Sequence, residues 1–260
     1  MSPTISRGYR FDLSGYFPRA IKTICLVCVG VFFLQEISRL LFPDSGWEFW
    51  LRWFGLVPRE VTHGFIWQPF TYIFLHGGIW HILLNLAFLA MFGADLEHMW
   101  GARRFYTYFF VCGVGAGIID IIVRMLLVRA NLSGPGLLSD PTIGASGAIY
   151  GILLACAIVM PHRKVWFFPL PVTVSMWVFV LVMGAIEFFS TIGVSGDNVS
   201  HVCHLGGMLA GYLYLRRGSY LFGVRNYFSD WKRRRLRKKF EVYVRDHDDK
   251  PPTRPDNWVN

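Results

Sequence analysis

The chain has 260 residues, of which 53% are hydrophobic and 17% aromatic, and it carries a formal net charge of +9. A mean hydropathy of +0.39 is too high for a soluble domain and indicates an integral membrane protein. The N-terminus is polar and has no short apolar core before a cleavage site, so no removable signal peptide is expected. The cysteines fall mostly in apolar runs, which favours small buried side chains over a disulfide framework; they are Cys25, Cys28, Cys112, Cys156 and Cys203.

Six apolar runs come close to the roughly 20 residues that a helix needs to cross about 30 Å of hydrocarbon. They cover residues 20–42, 79–97, 104–128, 145–160, 171–191 and 201–217. The sequence therefore predicts an all-α integral membrane protein, a bundle of six transmembrane helices. In this prediction residues 1–19 are a cytosolic tail, residues 20–217 the core, and residues 218–260 a second, basic cytosolic tail.

The orientation follows from basic residues, which concentrate on the cytosolic side of membrane proteins. Six spans place both termini on one side, and most basic residues near the span ends fall on that side: Arg7, Arg10, Arg19, Lys22, Arg103, Arg104, Arg163, Lys164, Arg216 and Arg217. We therefore expect both termini in the cytosol. The short N-terminus without a transit peptide favours a bacterial inner membrane over an organelle membrane.

The first outer loop, residues 43–78, is rich in aromatic side chains. It contains Trp47, Trp50, Trp53 and Trp67. Tryptophan prefers the boundary between hydrocarbon and water, so this loop is expected to lie in the membrane interface.

Polar groups inside membrane spans are costly and call for an explanation. In the second span, His81 and Asn85 are four residues apart and therefore share one helical face. Taken alone, the pair is as consistent with hydrogen bonding between helices as with a functional site.

The fourth span opens with Gly144-Ala-Ser146-Gly147. A serine at a helix start is often an N-cap, and glycines in spans are often packing surfaces. The free N–H groups and positive end of a helix also suit the stabilisation of an oxyanion beside a nucleophilic serine.

The sixth span contains His204 three residues before Gly207, and Gly211 completes a GxxxG surface for close helix packing. If the fourth and sixth spans pack through their glycines, Ser146 and His204 meet near the outer third of the membrane. A neutral imidazole there can take the proton of a serine hydroxyl, which is a poor nucleophile without assistance.

These three motifs, in this order, resemble those of the rhomboid family of intramembrane serine proteases, over about residues 65–215. The resemblance implies a catalytic dyad of Ser146 as nucleophile and His204 as general base. It also implies an oxyanion hole made by the backbone N–H of Ser146 with His81 and Asn85, a stacking role for Tyr150 against the catalytic histidine, and a structural role for Glu97. It further implies that the fifth span moves aside to admit substrate.

Several residues depart from the family pattern or have simpler explanations. Many members have Trp-Arg where this chain has Trp67-Gln68. An ion pair from this position that fastens the first outer loop is therefore in doubt. His201 lacks the family spacing and is assigned to the interface. Asp120 and Arg124, four apart, are expected to neutralise one another. Glu187 has no partner evident in sequence, and a role in orienting a histidine is the less favoured interpretation.

Other classes of protein fit less well. His76, His81, His201 and His204 could collect zinc, but no carboxylate base accompanies them at motif spacing, so we predict no metal and no cofactor. A transporter would show internal repeats, and none is evident. The serious alternative is a catalytically silent relative that binds membrane clients, although Ser146 and His204 are both retained.

The expected substrates are other membrane-anchored proteins, cut in or near their spans where glycine or proline weakens the helix. The basic tail contains a run of cationic residues from Lys232 to Lys239 beside Trp231. Such clusters bind anionic lipid headgroups, so lipid rather than nucleic acid is its expected partner.

Overall fold

The computed structural model describes residues 18–166, 172–192 and 201–217. The predicted N-terminal tail up to residue 17 and the predicted basic tail from residue 218 lie outside the described residues. The chain divides into two compact units, Met1–Tyr214 and Leu215–Asn260. Only residues 215–217 of the second unit are described, as the end of a helix, so the fold and site below belong to the first.

Helices dominate the described part of the chain. In order they are α1 (Arg19–Leu41), α2 (Gly46–Phe54), α3 (Pro58–Thr62), α4 (Gln68–Thr71), α5 (Ile79–Trp100), α6 (Ala102–Arg129), α7 (Ser146–Val159) and α8 (Met176–Ile192), followed by α9 at residues 201–217. Single 3-10 turns occupy Tyr72–Phe74 and Pro135–Leu138. The helices α1 and α5 to α9 follow the six predicted apolar runs.

By length and composition, three of the described helices are apolar enough to cross a membrane: α1, α5 and α6. The helices α7 and α8 are apolar but shorter. The described residues thus show a mostly helical membrane protein with three candidate spans.

The fifth run differs from its prediction, because residues 172–175 are not helical. Lys164–Trp166 (β1) and Thr173–Ser175 (β2) form an antiparallel pair with Val165 opposite Val174, and α8 begins only at Met176. The β-branched side chains of β2 favour an extended backbone. Pro169 and Pro171 precede it in sequence and disfavour a helix there.

One end of the bundle is tied together by charged side chains. The carboxylate of Glu97 accepts hydrogen bonds from the backbone N–H groups of Ala20 (2.8 Å) and Ile21 (3.0 Å) at the start of α1. These N–H groups have no partner within their own helix, so the structural role expected for Glu97 has a clear physical basis. At the same end, Arg163 pairs with Asp95 at 2.5 Å.

The glycines of α9 contact two different helices. A Cβ atom at Gly207 would collide with the backbone of Gly147 on α7, whereas one at Gly211 would meet Tyr108 and Cys112 on α6. The fourth and sixth apolar runs therefore do pack through glycine, as expected. The GxxxG surface is nevertheless divided between α7 and α6, because α9 lies in the groove between them.

The first outer loop is folded into α2, α3 and α4, and neutral hydrogen bonds fasten it. Gln68 is fully buried; its Oε1 accepts from the Val57 N–H (3.0 Å) and its Nε2 donates to the Arg52 carbonyl (2.7 Å). A glutamine thus holds the loop where an ionic contact was in doubt. All five cysteines are free, and four of them are buried, which agrees with the expectation that they are not disulfide-bonded.

Candidate active site

The starts of α5, α7 and α9 surround a cavity of about 920 Å³ at the opposite end from Glu97. This volume is in the range of pockets that bind ligands. Its lining includes all five residues for which a role at the reacting atoms was predicted: His81, Asn85, Ser146, Tyr150 and His204.

The predicted contact between the serine and the histidine is present. The Oγ of Ser146 lies 2.8 Å from the Nε2 of His204, which is hydrogen-bonding distance. Ser146 is the first residue of α7, and the N-cap position belongs to Ala145. Its hydroxyl is therefore directed to the imidazole and does not cap the helix, which removes the simplest alternative explanation for this serine.

The ring of His204 is held from its face by an aromatic residue. The rings of Tyr150 and His204 stack with centroids 4.4 Å apart and planes inclined by 12°. Tyr150 follows Ser146 by one turn of α7, so the helix that carries the serine also fixes the plane of the imidazole. Both side chains are buried, each residue being 8% exposed.

Backbone hydrogen bonds to the first outer loop hold the segment that leads into Ser146. Leu56 and Thr142 exchange two of them at 2.9 Å, and the Gly144 N–H donates to the Tyr72 carbonyl, also at 2.9 Å. Gly144 has a φ of +118°, a conformation that side chains with a Cβ rarely adopt. The tight turn before the serine therefore depends on glycine at this position.

His81 presents a hydrogen-bond donor to the same turn. Its Nδ1 accepts from the Gly77 N–H at 3.2 Å, so in the neutral ring the proton is on Nε2. A Cβ atom at Gly144 would lie 2.7 Å from this Nε2 and 3.8 Å from Nδ2 of Asn85. The Asn85 amide also donates to the His81 carbonyl at 3.0 Å, which fixes its orientation. Both side chains thus border the turn before Ser146 with N–H groups.

His76 belongs to the support of this site rather than to the cavity wall. It is fully buried and packs edge-on against His81, with ring centroids 5.2 Å apart. Its backbone N–H donates to Gln35 on α1 at 3.2 Å. His76 therefore links the position of the His81 ring to the first helix.

Glu187 on α8 has partners that sequence reasoning missed. Its carboxylate accepts hydrogen bonds from the hydroxyl of Tyr150 and from Nδ1 of His201 at 2.6 Å, and Oε2 lies 3.0 Å from Nδ1 of His204. No partner for Glu187 was evident from the sequence, and the structure shows three. The signal available in the sequence was a single acidic residue in the apolar run that precedes His201 and His204.

His201, which was assigned to the membrane interface from the sequence, has a specific partner in the structure. Its side chain is only 12% exposed and is bonded to Glu187. Because His201 and His204 are three positions apart on α9, both side chains face α8. A charged partner on that helix explains the burial of His201.

Glu187, His201 and His204 are also the described residues whose grouping suits a metal ion, since their ligand atoms lie within 4.8 Å of one another. Two imidazoles and a carboxylate are a known zinc ligand set. This is not the all-histidine set considered from the sequence. In the structure the same atoms contact one another directly, as described above.

Arg124 fastens the loop beside the cavity. The predicted pair with Asp120 is present at 3.0 Å, and the guanidinium also donates to the Asp140 carbonyl (2.9 Å) and to Oγ1 of Thr142 (2.6 Å). The pair therefore does more than neutralise two charges, because it connects α6 to the turn that precedes Ser146.

The described helices thus define a mostly helical membrane protein in which a serine hydroxyl lies against an imidazole. The chain belongs to the rhomboid family, since residues 63–220, more than half of it, match the family model of the Rhomboid domain. It is accordingly a multi-pass membrane protein.

Three relatives illustrate the similarity. Rhomboid protein 1, mitochondrial, from Saccharomyces cerevisiae is 31% identical over 54% of this chain and 38% of its own length. Rhomboid-like protease 5 from Toxoplasma gondii is 34% identical over 55% and 15% of the two lengths. Rhomboid protease GluP from Bacillus subtilis is 26% identical over 58% and 26%. The chain thus spans less than half the length of each of these relatives.

Proposed function

We propose that this protein is an intramembrane serine endopeptidase that cuts membrane-anchored proteins in or near their transmembrane segments. The observation that carries the proposal is the 2.8 Å contact between Oγ of Ser146 and Nε2 of His204, inside a cavity of a rhomboid-family protein. Two of the relatives described above are named proteases, which supports the same activity.

The proposed reaction proceeds in two halves. In the first, Ser146 attacks the peptide carbonyl while His204 takes the serine proton, and the imidazolium then protonates the leaving amine as the C–N bond breaks. In the second, His204 takes a proton from water, which attacks the acyl-enzyme, and returns it to the Ser146 oxygen. The overall reaction consumes the peptide bond and one water molecule, so the proposed mechanism needs no metal or organic cofactor.

The negative charge on the carbonyl oxygen is assigned to an oxyanion hole at the start of α7. The donors in this proposal are the backbone N–H of Ser146, Nε2 of His81 and the amide of Asn85. The placement of these groups beside Gly144 and the tautomer of His81 support the assignment. One such donor is worth about 10²- to 10³-fold in rate.

The proposed topology has six spans with both termini in the cytosol. Arg19 and Arg163 lie at the end of the bundle opposite the cavity, which supports this orientation by the positive-inside rule. The 14 residues of α7 extend about 21 Å, less than the roughly 30 Å of hydrocarbon. A short fourth span would therefore leave Ser146 below the outer surface, with water reaching it through the cavity.

The proposed location is a cell membrane, with the basic tail held by anionic lipid headgroups. One relative is named as mitochondrial and another comes from Bacillus subtilis. The relatives therefore do not favour a bacterial membrane over an organelle membrane.

The first test is cleavage of a single-span substrate with a glycine near its outer boundary, in liposomes. We expect product from the wild type and a loss of at least about 10³-fold in Ser146→Ala and His204→Ala. A fluorophosphonate should label the wild type at Ser146 and leave Ser146→Ala unlabelled. Metal chelators should have no effect on the wild type.

Folding of all three proteins is compared by thermal unfolding, because a misfolded variant would be inactive for another reason. If the folded wild type neither cleaves any of several substrates nor reacts with the fluorophosphonate, the protein is a silent client-binding relative instead.

A further inference from the structure

Beside the catalytic histidine lies a buried charged group that the proposed mechanism does not use. Glu187 on α8 is 6% exposed. A carboxylate is costly to bury unless it has close polar partners. The identity of those partners therefore indicates what the residue does.

Both oxygens of Glu187 are occupied on the side of the imidazole away from Ser146. Oε1 accepts from the hydroxyl of Tyr150, the residue that stacks on His204. Oε2 accepts from Nδ1 of His201 at 2.6 Å and lies 3.0 Å from Nδ1 of His204. The serine hydroxyl thus lies at Nε2 of the His204 ring, and the Glu187 carboxylate lies at Nδ1.

The contact with His204 is close but not aligned, since Nδ1 of His204 makes no geometrically acceptable hydrogen bond here. Catalytic hydrogen bonds are often poorly aligned without substrate and tighten in the reacting complex. Tyr150 and His201 hold the carboxylate from two other helices, within 3.0 Å of Nδ1 of His204.

We propose that Glu187 is a positioning residue for His204 and completes a Glu–His–Ser arrangement. The inference rests on the proposed function, in which Ser146 and His204 carry the reaction. By accepting a hydrogen bond from Nδ1–H, the carboxylate favours the tautomer whose Nε2 lone pair can remove the serine proton. It also faces the positive charge that the ring gains during attack.

The test is the kinetics of Glu187→Gln in the full-length protein in liposomes, with a single-span substrate and a chelator present. Glutamine has nearly the same shape, but its amide N–H can bond Nδ1 and so favours the wrong tautomer. We expect kcat to fall by about 100-fold or more with little change in KM. Glu187→Asp, which keeps the charge but shortens the side chain, should retain more activity than Glu187→Gln.

The matched control is Glu97→Gln, because Glu97 is a second buried glutamate, 4% exposed, that holds the start of α1. Losing one of its two acceptor oxygens should lower the unfolding temperature and leave kcat per folded molecule unchanged. Glu187→Gln should instead lower kcat and leave the unfolding temperature nearly unchanged. If Glu187→Gln loses activity only in proportion to its folded fraction, or exceeds Glu187→Asp in kcat, the inference is overturned.

The two hypotheses fail in different ways. A folded wild type that neither cleaves nor reacts with a fluorophosphonate at Ser146 overturns the proposed function and the inference with it. A wild type that cleaves without metal, alongside an equally active Glu187→Gln, overturns the positioning role of Glu187 alone.

Discussion

At the scale of single residues, the turn before the serine requires glycine at position 144. Gly144 has a φ of +118°, and a Cβ atom at this position would lie only 2.7 Å from Nε2 of His81. Non-glycine residues in such a conformation cost about 1 to 3 kcal/mol. The absence of a side chain at Gly144 therefore permits both the backbone conformation of the turn and the position of His81, a proposed oxyanion donor.

Gly144→Ala should reduce cleavage by about 10- to 100-fold, because the new methyl group displaces His81 from the turn. Gly136→Ala is the matched control, since a Cβ there meets no atom within 4 Å, and it should behave as wild type. Initial rates with a single-span substrate measure both. Equal rates for the two variants would show that His81 does not need its present position.

At the scale of elements, the contact between α7 and α9 brings the serine and the histidine together. The two helices approach where Gly207 meets Gly147, one turn beyond His204. Helices in a membrane gain little from the hydrophobic effect on association, so small residues and close packing become important. The 2.8 Å contact at the site thus depends on a glycine contact deeper in the bundle.

Gly207→Ala should separate α7 from α9, lower the free energy of unfolding by about 1 to 3 kcal/mol, and reduce fluorophosphonate labelling of Ser146. Gly30→Ala on α1 serves for comparison, because no atom lies within 4 Å of its Cβ position and alanine favours helix. Thermal unfolding and labelling rates are measured together. A Gly207→Ala protein with unchanged labelling would mean that the dyad tolerates a wider helix spacing.

At the scale of the whole molecule, the two ends of the described bundle differ in chemistry. One end carries Glu97, which caps the start of α1, and the ion pair of Asp95 with Arg163. The other end carries the cavity, and Arg124 fastens the adjoining loop there. The proposed orientation assigns the first end to the cytosol and the second to the outer side.

Single cysteines at the two ends test this orientation in a background with the five native cysteines replaced. Leu132→Cys, at a 74% exposed residue after α6, should react with an impermeant maleimide added outside intact cells. His162→Cys, at an exposed residue after α7, should react only after the membrane is permeabilised. The reverse pattern would invert the topology, and equal labelling would contradict the predicted number of crossings between them.

The positions of the long helices and the contact of Ser146 with His204 were predictable from sequence. Hydropathy is a sum over neighbouring residues and needs no knowledge of partners, so apolar runs locate helices to within a few residues. The start of α8 escaped this reasoning, since the apolar side chains of β2 read equally well as strand or helix.

The sequence by itself determined an apolar helical chain with a serine, a histidine and glycines in an order typical of one family. Only the tertiary structure decided which side chains meet across helices: Glu187 with His201 and His204, Gln68 with the backbone of its loop, and the glycines of α9 with two different neighbours. The physical reason is that such contacts depend on the rotation and depth of each helix against the others. These are properties of the packed bundle, and no single segment of the chain contains them.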